Sequence, residues 1–191
     1  MTFLKRPARV GRDPPATRAA LLEAAALEFN QAGFDATNTN AIAARAGFAP
    51  QTFYRHFKDK TDIFVAVYEY WVAEEMTELD GVRDAVAAAR AVVRRHRRSL
   101  RMRRALRALS VGDTRVRRAR AASRAAQIKR LQSRLAHLRG VPRSRLAASL
   151  LTIERIADAI AEAEFDDLDI DKNEALAELA RVLRQTLGRK S

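Results

Sequence analysis

The sequence predicts an all-α fold, and three observations carry that prediction. Alanine, leucine and arginine dominate the 191 residues, and all three are strong helix formers. Glycine (7) and proline (5) are scarce, so each one reads as a boundary rather than as part of a loop-rich background. No segment alternates apolar and polar residues; the apolar positions recur at helical spacing instead. Hydrophobic residues make up 48%, enough for a packed core.

Residues 1–13 read as a flexible basic arm without an apolar signal core. After Pro14-Pro15, Thr17 is expected to cap a first helix running to about Ala32. Leu21, Leu22, Ala25, Ala26 and Phe29 form its apolar stripe, and Gly33 ends it. A short helix follows from about Asn40 to Ala46. Gly47 makes the turn, and Pro50 opens a second short helix to Phe57, its fixed φ suiting the first helical position. Asp59 caps a longer helix with Asp62 in its first turn, facing the positive end of the helix dipole.

Gly81 is expected to break that helix. Val82, Val86, Ala89, Val93 and Leu100 mark the next, and Met102, Leu106 and Leu109 continue the pattern to a break at Val111-Gly112-Asp113. A long helix from Val116 to Leu138 ends at Gly140-Val141-Pro142. Leu146, Leu150, Ile153, Ala157 and Ile160 then line a strongly apolar helix. An acidic loop, Asp166 to Asp171, leads to a last helix carrying Leu176, Leu179, Ala180, Leu183 and Leu187, with Gly188 after it. The total is about nine helices.

Composition excludes several classes of function. There is no cysteine, hence no disulfide, thiolate metal site or thiol catalysis, and a cytoplasmic location is expected. Apolar runs fall well short of the ~18 residues of a membrane span. His56, His96 and His137 lack metal-ligand spacing, and no nucleophile elbow or phosphate loop is present. No enzyme, metal or cofactor is therefore expected. Asp167, Asp169 and Asp171 mimic a calcium loop, but its sixth position, which needs glycine, is Lys172. The segment reads instead as a loop whose Asp171 caps the last helix, with Glu174 in its first turn.

The net charge of +13 suggests an anionic partner, yet its distribution does not follow the motifs. Residues 1–60 carry a net +4, residues 61–89 a net −6, residues 90–145 a net +19 and residues 146–191 a net −4. Arginine outnumbers lysine 30 to 6, so the Arg90–Arg145 run reads first as a solvated helical surface.

The informative segment lies between Asn38 and Lys60. A helix-turn-helix needs a sharp turn between short helices, with a small residue four before the turn glycine; Ala43 and Gly47 have that spacing. Ile42, Ala46, Phe48 and Phe53 supply a small core, which Ala25 and Phe29 of the first helix can cover. The second short helix then presents Gln51, Thr52, Tyr54, Arg55 and His56 outward. Arginine and glutamine can pair with base edges, and threonine and tyrosine suit phosphates or thymine methyls. Lys60 is placed for a phosphate.

The stretch TRAALLEAAALEFNQAGFDATNTNAIAARAGFAPQTFYRHFKDKTDIF resembles the DNA-binding domain of tetracycline-repressor (TetR) family regulators. Thr17-Arg18, Ala24-Ala25, Phe29, Gly33-Phe34, Thr37, Ile42-Ala43, Ala46-Gly47, Thr52, Phe53-Tyr54, His56-Phe57, Lys60 and Phe64 agree in order without gaps. The resemblance implies an N-terminal three-helix head over residues 14–60 and a larger helical effector-binding and dimerisation domain over 61–191. By carry-over, Gln51, Thr52, Tyr54, Arg55, His56 and Lys60 match DNA-contact positions, with Asn38, Asn40 and Thr17 as weaker matches. Three departures from the pattern stand out: Ala49 stands where a capping serine is usual, Thr39 replaces an apolar residue, and Leu27-Glu28 reverses the usual polar-then-apolar order before Phe29.

The expected activity is that of a ligand-responsive repressor that releases a pseudo-palindromic operator on binding a small effector. Phe64, Tyr68, Trp71, Met102, Leu106, Leu109, Ile128 and Leu131 are the candidate effector-pocket residues. A homodimer is expected through the last two helices, from about Ser144 to Glu164 and from about Asn173 to Leu187, whose apolar faces exceed what one partner helix needs. The alternatives are a DNA-organising protein that uses the arginine-rich body, and a small-molecule-binding helical protein with a vestigial head.

Overall fold

The computed structural model describes residues 13–78 and 84–187. Most of the N-terminal arm, the breaks at Gly81 and Gly188, and Val82 lie outside the described residues. The described chain contains nine α-helices: α1 (Pro14–Gln31), α2 (Thr39–Arg45), α3 (Pro50–His56), α4 (Lys60–Glu78), α5 (Ala85–Arg98), α6 (Leu100–Gly112), α7 (Thr114–Arg134), α8 (Arg143–Ala161) and α9 (Lys172–Leu187). Two short 3-10 turns, Ala136–Leu138 and Asp166–Leu168, follow α7 and α8. The chain forms two compact units. One holds the described residues up to Val72 together with Arg101–Ala119; the other holds Ala73–Leu100 and the chain from Arg120 onward. The first unit is thus wider than a head ending at residue 60, because α6 and the start of α7 join it.

In the first unit, Leu21, Ala25 and Phe29 of α1, Ile42 and Ala43 of α2, Phe53 of α3 and Ile63 and Phe64 of α4 are fully buried in one cluster. Met102, Leu106 and Val116 complete it. Phe29, Phe34 and Phe64 pack ring on ring, with centroids 5.1–5.7 Å apart. Each fully buried ring contributes about 1.5–3 kcal/mol of transfer free energy, so this cluster sets the frame on which the short helices sit. α1 begins at Pro14, earlier than expected, and Asp13 precedes it without a side-chain cap. Thr17 is not a cap; it is buried inside the first helix. The reason is local: prolines in a first turn lose no hydrogen bond, so Pro14-Pro15 extend the helix instead of preceding it.

The second unit is built on α5, α8 and α9. Ala85, Ala88, Ala89, Val92 and Val93 of α5 pack with Ile153, Ala157 and Ile160 of α8 and Leu176, Leu179, Ala180 and Leu183 of α9. A smaller cluster joins Ile128, Leu138 and Leu146. Two expectations change here. Val86 is exposed, because the inner face of α5 runs through Ala85, Ala88, Ala89, Val92 and Val93, whose alanines admit close helix approach. Part of the apolar faces of α8 and α9 is covered within the chain, where Ile153, Ala157, Ile160, Leu176, Leu179 and Leu183 pack against α5, while Leu151 remains 46% exposed. α8 ends in a Schellman motif: Glu164 N–H donates to Ala159 O at 3.0 Å, and Ala163 holds the left-handed position at φ 63°. Asp171 caps α9 as expected, accepting from the Asn173 amide at 2.8 Å.

No described helix is long and apolar enough to cross a membrane, and no cluster of histidine, aspartate and glutamate among the described residues could hold a metal ion.

Candidate nucleic-acid interface

The turn between α2 and α3 follows from Gly47. It sits at φ +79°, a conformation costly to residues with a Cβ. There it closes a Schellman motif: Phe48 N–H donates to Ala43 O at 2.9 Å and Gly47 N–H to Ala44 O at 3.0 Å. Ala43 is fully buried at the contact, which a larger side chain would hold apart. α3 then starts at Pro50 with no side-chain cap from Ala49, as the residue type dictates. At the other end of α2, Asn38 is the cap, its Oδ1 accepting from the Ala41 amide at 2.9 Å.

α3 is two-faced. Phe53 is fully buried and Phe57, just past the helix, nearly so, while Gln51, Tyr54 and Arg55 are exposed and Thr52 and His56 half-buried. The side chains of Gln51, Arg55 and His56 make no hydrogen bond or ion pair among the described residues. A planar amide, a guanidinium and an imidazole with unspent capacity thus share one short helix. Arg55 and His56 also fall in its last turn.

Of the remaining predicted residues, Tyr54 and Lys60 are engaged within the chain. Tyr54 is 57% exposed, yet its hydroxyl lies 3.0 Å from Thr39 Oγ1. Asn40 is exposed on the first turn of α2. Thr17 is buried on α1 beside Arg18, whose guanidinium lies 5.0 Å over the Phe57 ring. Lys60 Nζ donates to Phe34 O at 2.6 Å and Thr37 O at 2.8 Å, with Asp35 O at 3.4 Å. Sequence reading missed the Thr39–Tyr54 bond; its one signal was a hydroxyl where an apolar residue is usual.

Two further sets of contacts brace the head. Arg45 of α2 ion-pairs with Glu28 at 2.5 Å and donates to Gln31 Oε1 at 2.9 Å, tying α2 to α1. Asp59 caps α4 through the Asp62 amide at 2.9 Å, and Asp62 reaches back to the Lys58 amide at 2.9 Å. The other Asp59 oxygen accepts from Arg115 at 2.7 Å, and Arg115 also binds Asp113 at 3.0 Å. Partial burial raises the Asp59 carboxyl, but the Arg115 hydrogen bond and the amide donors outweigh it and hold it below its ordinary value.

The expected pocket residues do not fall in one cluster. Phe64, Tyr68, Met102 and Leu106 are buried together in the first unit, with Trp71 and Leu109 against them. Arg103 is 7% exposed and stacks over the Trp71 ring at 4.8 Å. Ile128 and Leu131 belong to the small cluster of the second unit.

Residues 21–67 match the family model described as bacterial regulatory proteins, tetR family. The fold of most of the chain is shared with solved structures at low sequence identity. GusR of Salmonella enterica is 20% identical, with 93% of this chain and 98% of that chain covered and a TM-score of 0.68. SmeT, solved with triclosan, is 19% identical, with 89% and 91% covered and a TM-score of 0.59. The transcriptional regulator FadR of Bacillus subtilis, solved with stearoyl-CoA, is 15% identical, with 90% and 98% covered and a TM-score of 0.52. No curated protein sequence matches the chain. The matched segment spans the α2–turn–α3 unit whose geometry is described above, and over these residues the chain is similar to the tetR family of bacterial regulatory proteins.

Proposed function

We propose that this protein is a ligand-responsive repressor that grips a pseudo-palindromic DNA duplex as a homodimer and lets go when a small effector binds. The observation that carries the DNA contact is the outer face of α3, where Gln51, Arg55 and His56 stand without partners among the described residues, beside Thr52 and Tyr54. A seven-residue helix with its polar side chains unspent fits a major groove, where arginine pairs with guanine and glutamine with adenine. Asn40 adds a polar group at the start of α2, and Arg18 a cation beside the end of α3.

The division of labour is a head at residues 14–60 and an effector-binding and dimerisation part at 61–191. Phe64, Tyr68, Trp71, Met102, Leu106 and Leu109, gathered in one cluster, are the side chains proposed to meet an apolar effector. The stearoyl-CoA and triclosan complexes of FadR and SmeT support an effector with a large apolar part. Dimerisation is proposed through the outward faces of α8 and α9, where Leu151 is 46% exposed and Ala148, Ala177 and Arg181 are also exposed. Two heads would then meet major grooves about 34–36 Å apart. An effector shifts the population toward a head spacing that no longer fits.

The test is selection of duplexes from random DNA with the purified full-length chain. One palindromic motif with half-sites a helical turn apart is the expected result. Diffuse binding whose salt dependence follows the arginine-rich body would overturn the reading.

A further inference from the structure

We propose that Gln51 and Arg55 are the specificity-determining pair of α3: in each operator half-site Gln51 reads an adenine and Arg55 a guanine, in base pairs about two steps apart. This names the base sequence that the outer face of α3 would select, and it rests on the DNA-binding reading above.

Gln51 and Arg55 are exposed, and neither side chain makes a hydrogen bond or ion pair among the described residues. They stand four residues apart on α3, Gln51 in its first turn and Arg55 in its last. On an α-helix that spacing places two side chains on the same face. Phe53 lies two residues from each, on the opposite side of the helix, and is fully buried in the cluster shared by α1, α2 and α4. Burial of Phe53 therefore turns the pair away from the core. His56 follows Arg55 directly, so it leaves the helix in another direction and is half-buried.

The two side chains are of the kinds that hold a purine edge by two bonds at once. A guanidinium offers parallel N–H donors to the N7 and O6 acceptors of guanine. A carboxamide offers one donor and one acceptor, which match N7 and the N6 amino group of adenine. Thr52 has a single hydroxyl, which suits several bases. Arg45, the other arginine of the two short helices, is already held by Glu28 and Gln31 of α1. Arg55 is thus the guanidinium of α2 and α3 with its donors available for a guanine.

Helix geometry sets the separation. Four residues rise about 6 Å along an α-helix. Successive base pairs lie about 3.4 Å apart along a duplex, so the pair spans about two base steps. One half-site then contains an A·T pair and a G·C pair at that spacing, and a pseudo-palindrome repeats them in inverted order.

Selection from random duplexes decides the matter, run in parallel with the full-length wild-type chain, Gln51→Arg and Arg55→Gln. The wild-type motif is expected to hold the two pairs at the stated spacing. Arg55→Gln should change the G·C pair to A·T and leave the other positions alone, and Gln51→Arg should change the A·T pair to G·C. With the wild-type chain, replacing that G·C pair by A·T should weaken binding roughly 5- to 150-fold. Arg55→Ala should bind the two duplexes equally, and it decides the case if Arg55→Gln selects nothing.

Motifs that stay the same in both variants, while affinity for every duplex falls by one factor, would put these side chains on the DNA backbone and overturn the proposal. A switch in only one variant overturns the pair, as does a wild-type motif without the two base pairs at that spacing. In each of these outcomes the wild-type motif itself keeps the DNA-binding reading standing. If the wild-type chain selects no motif, that reading fails and the proposal with it.

Discussion

On α3, the polar side chains of Gln51, Arg55 and His56 have no partner within the described chain. In the arginine-rich stretch, Arg97, Arg101, Arg115, Arg120 and Arg124 each donate to a carboxylate or a carbonyl. The first region belongs to a segment with a net charge of +4, the second to one with +19. The difference teaches that a count of cations does not by itself measure a surface free for a partner, since several arginines of the body are spent on groups of the chain itself. Arg101 reaches the Gln31 carbonyl at the end of α1, and Arg120 and Arg124 share the Glu154 carboxylate at 2.8 and 2.6 Å. Such arginines are structural. Others, including Arg90, Arg94, Arg98, Arg117 and Arg118, are exposed.

The hardest way to break the body leaves the head's surface untouched. His96 of α5 and Asp158 of α8 meet at 2.8 Å, with side chains 4% and 2% exposed. Asp158→Ala is expected to lower the unfolding free energy by about 1–3 kcal/mol in a denaturant titration, the usual cost of removing one partner of a buried hydrogen bond. A loss below ~1 kcal/mol would mean that the pair is dispensable to the α5–α8 packing.

Glu154 tests how firmly its partners hold the arginines of the body. Burial raises this carboxyl, but the hydrogen bonds and charges of Arg124 and Arg120 outweigh it and hold it below its ordinary value. A carboxylate depressed on folding stabilises above its unfolded pKa, about 4.3, and loses that contribution as pH falls through the lower folded value. Glu154→Gln is therefore expected to cost about 2 kcal/mol at pH 7. It should also flatten the loss of stability below about pH 4.3. An acid limb identical to wild type would show that the two arginines do not depend on Glu154.

The head should respond in the opposite sense, losing binding and not stability. Arg55→Ala is expected to weaken a selected duplex by about 1–3 kcal/mol, roughly 5- to 150-fold, if it reads a base. Its melting temperature and dimerisation should be unchanged. Arg117→Ala, from the exposed body, serves as the control and should bind like wild type. Equal losses from the two would erase the contrast between head and body.

The smallest expected effect concerns the bare start of α3. Ala49→Ser supplies the missing cap and should stabilise the chain by about 1 kcal/mol in thermal unfolding. No gain would indicate that the proline-initiated turn already satisfies those amides.

Legibility in the sequence followed sequence distance. Gly33, Gly47, the Ala43 contact, Pro50 and the Asp59 and Asp171 caps could all be read, because each depends on residues within one turn of itself. The start of α1 was misplaced at Thr17, since a cap residue and a buried helical threonine look alike without their neighbours. On α5, Ala89 and Val93 were read on the inner face, but Val86 was placed there too, because only packing on α8 and α9 shows that Ala85 and Ala88 point inward instead.

Periodicity, turn residues and the gapless α2–α3 motif determined the helical class, the place of α3 and its outward residues. The tertiary structure alone decided which distant groups meet. Lys60 on the Phe34 and Thr37 carbonyls, Thr39 on Tyr54, and His96 on Asp158 across 62 residues are pairings between distant segments. Helical spacing specifies which side of a helix a residue occupies. Which distant group meets it there depends on how the helices pack, and that comes from the summed burial of the core rather than from any local pattern.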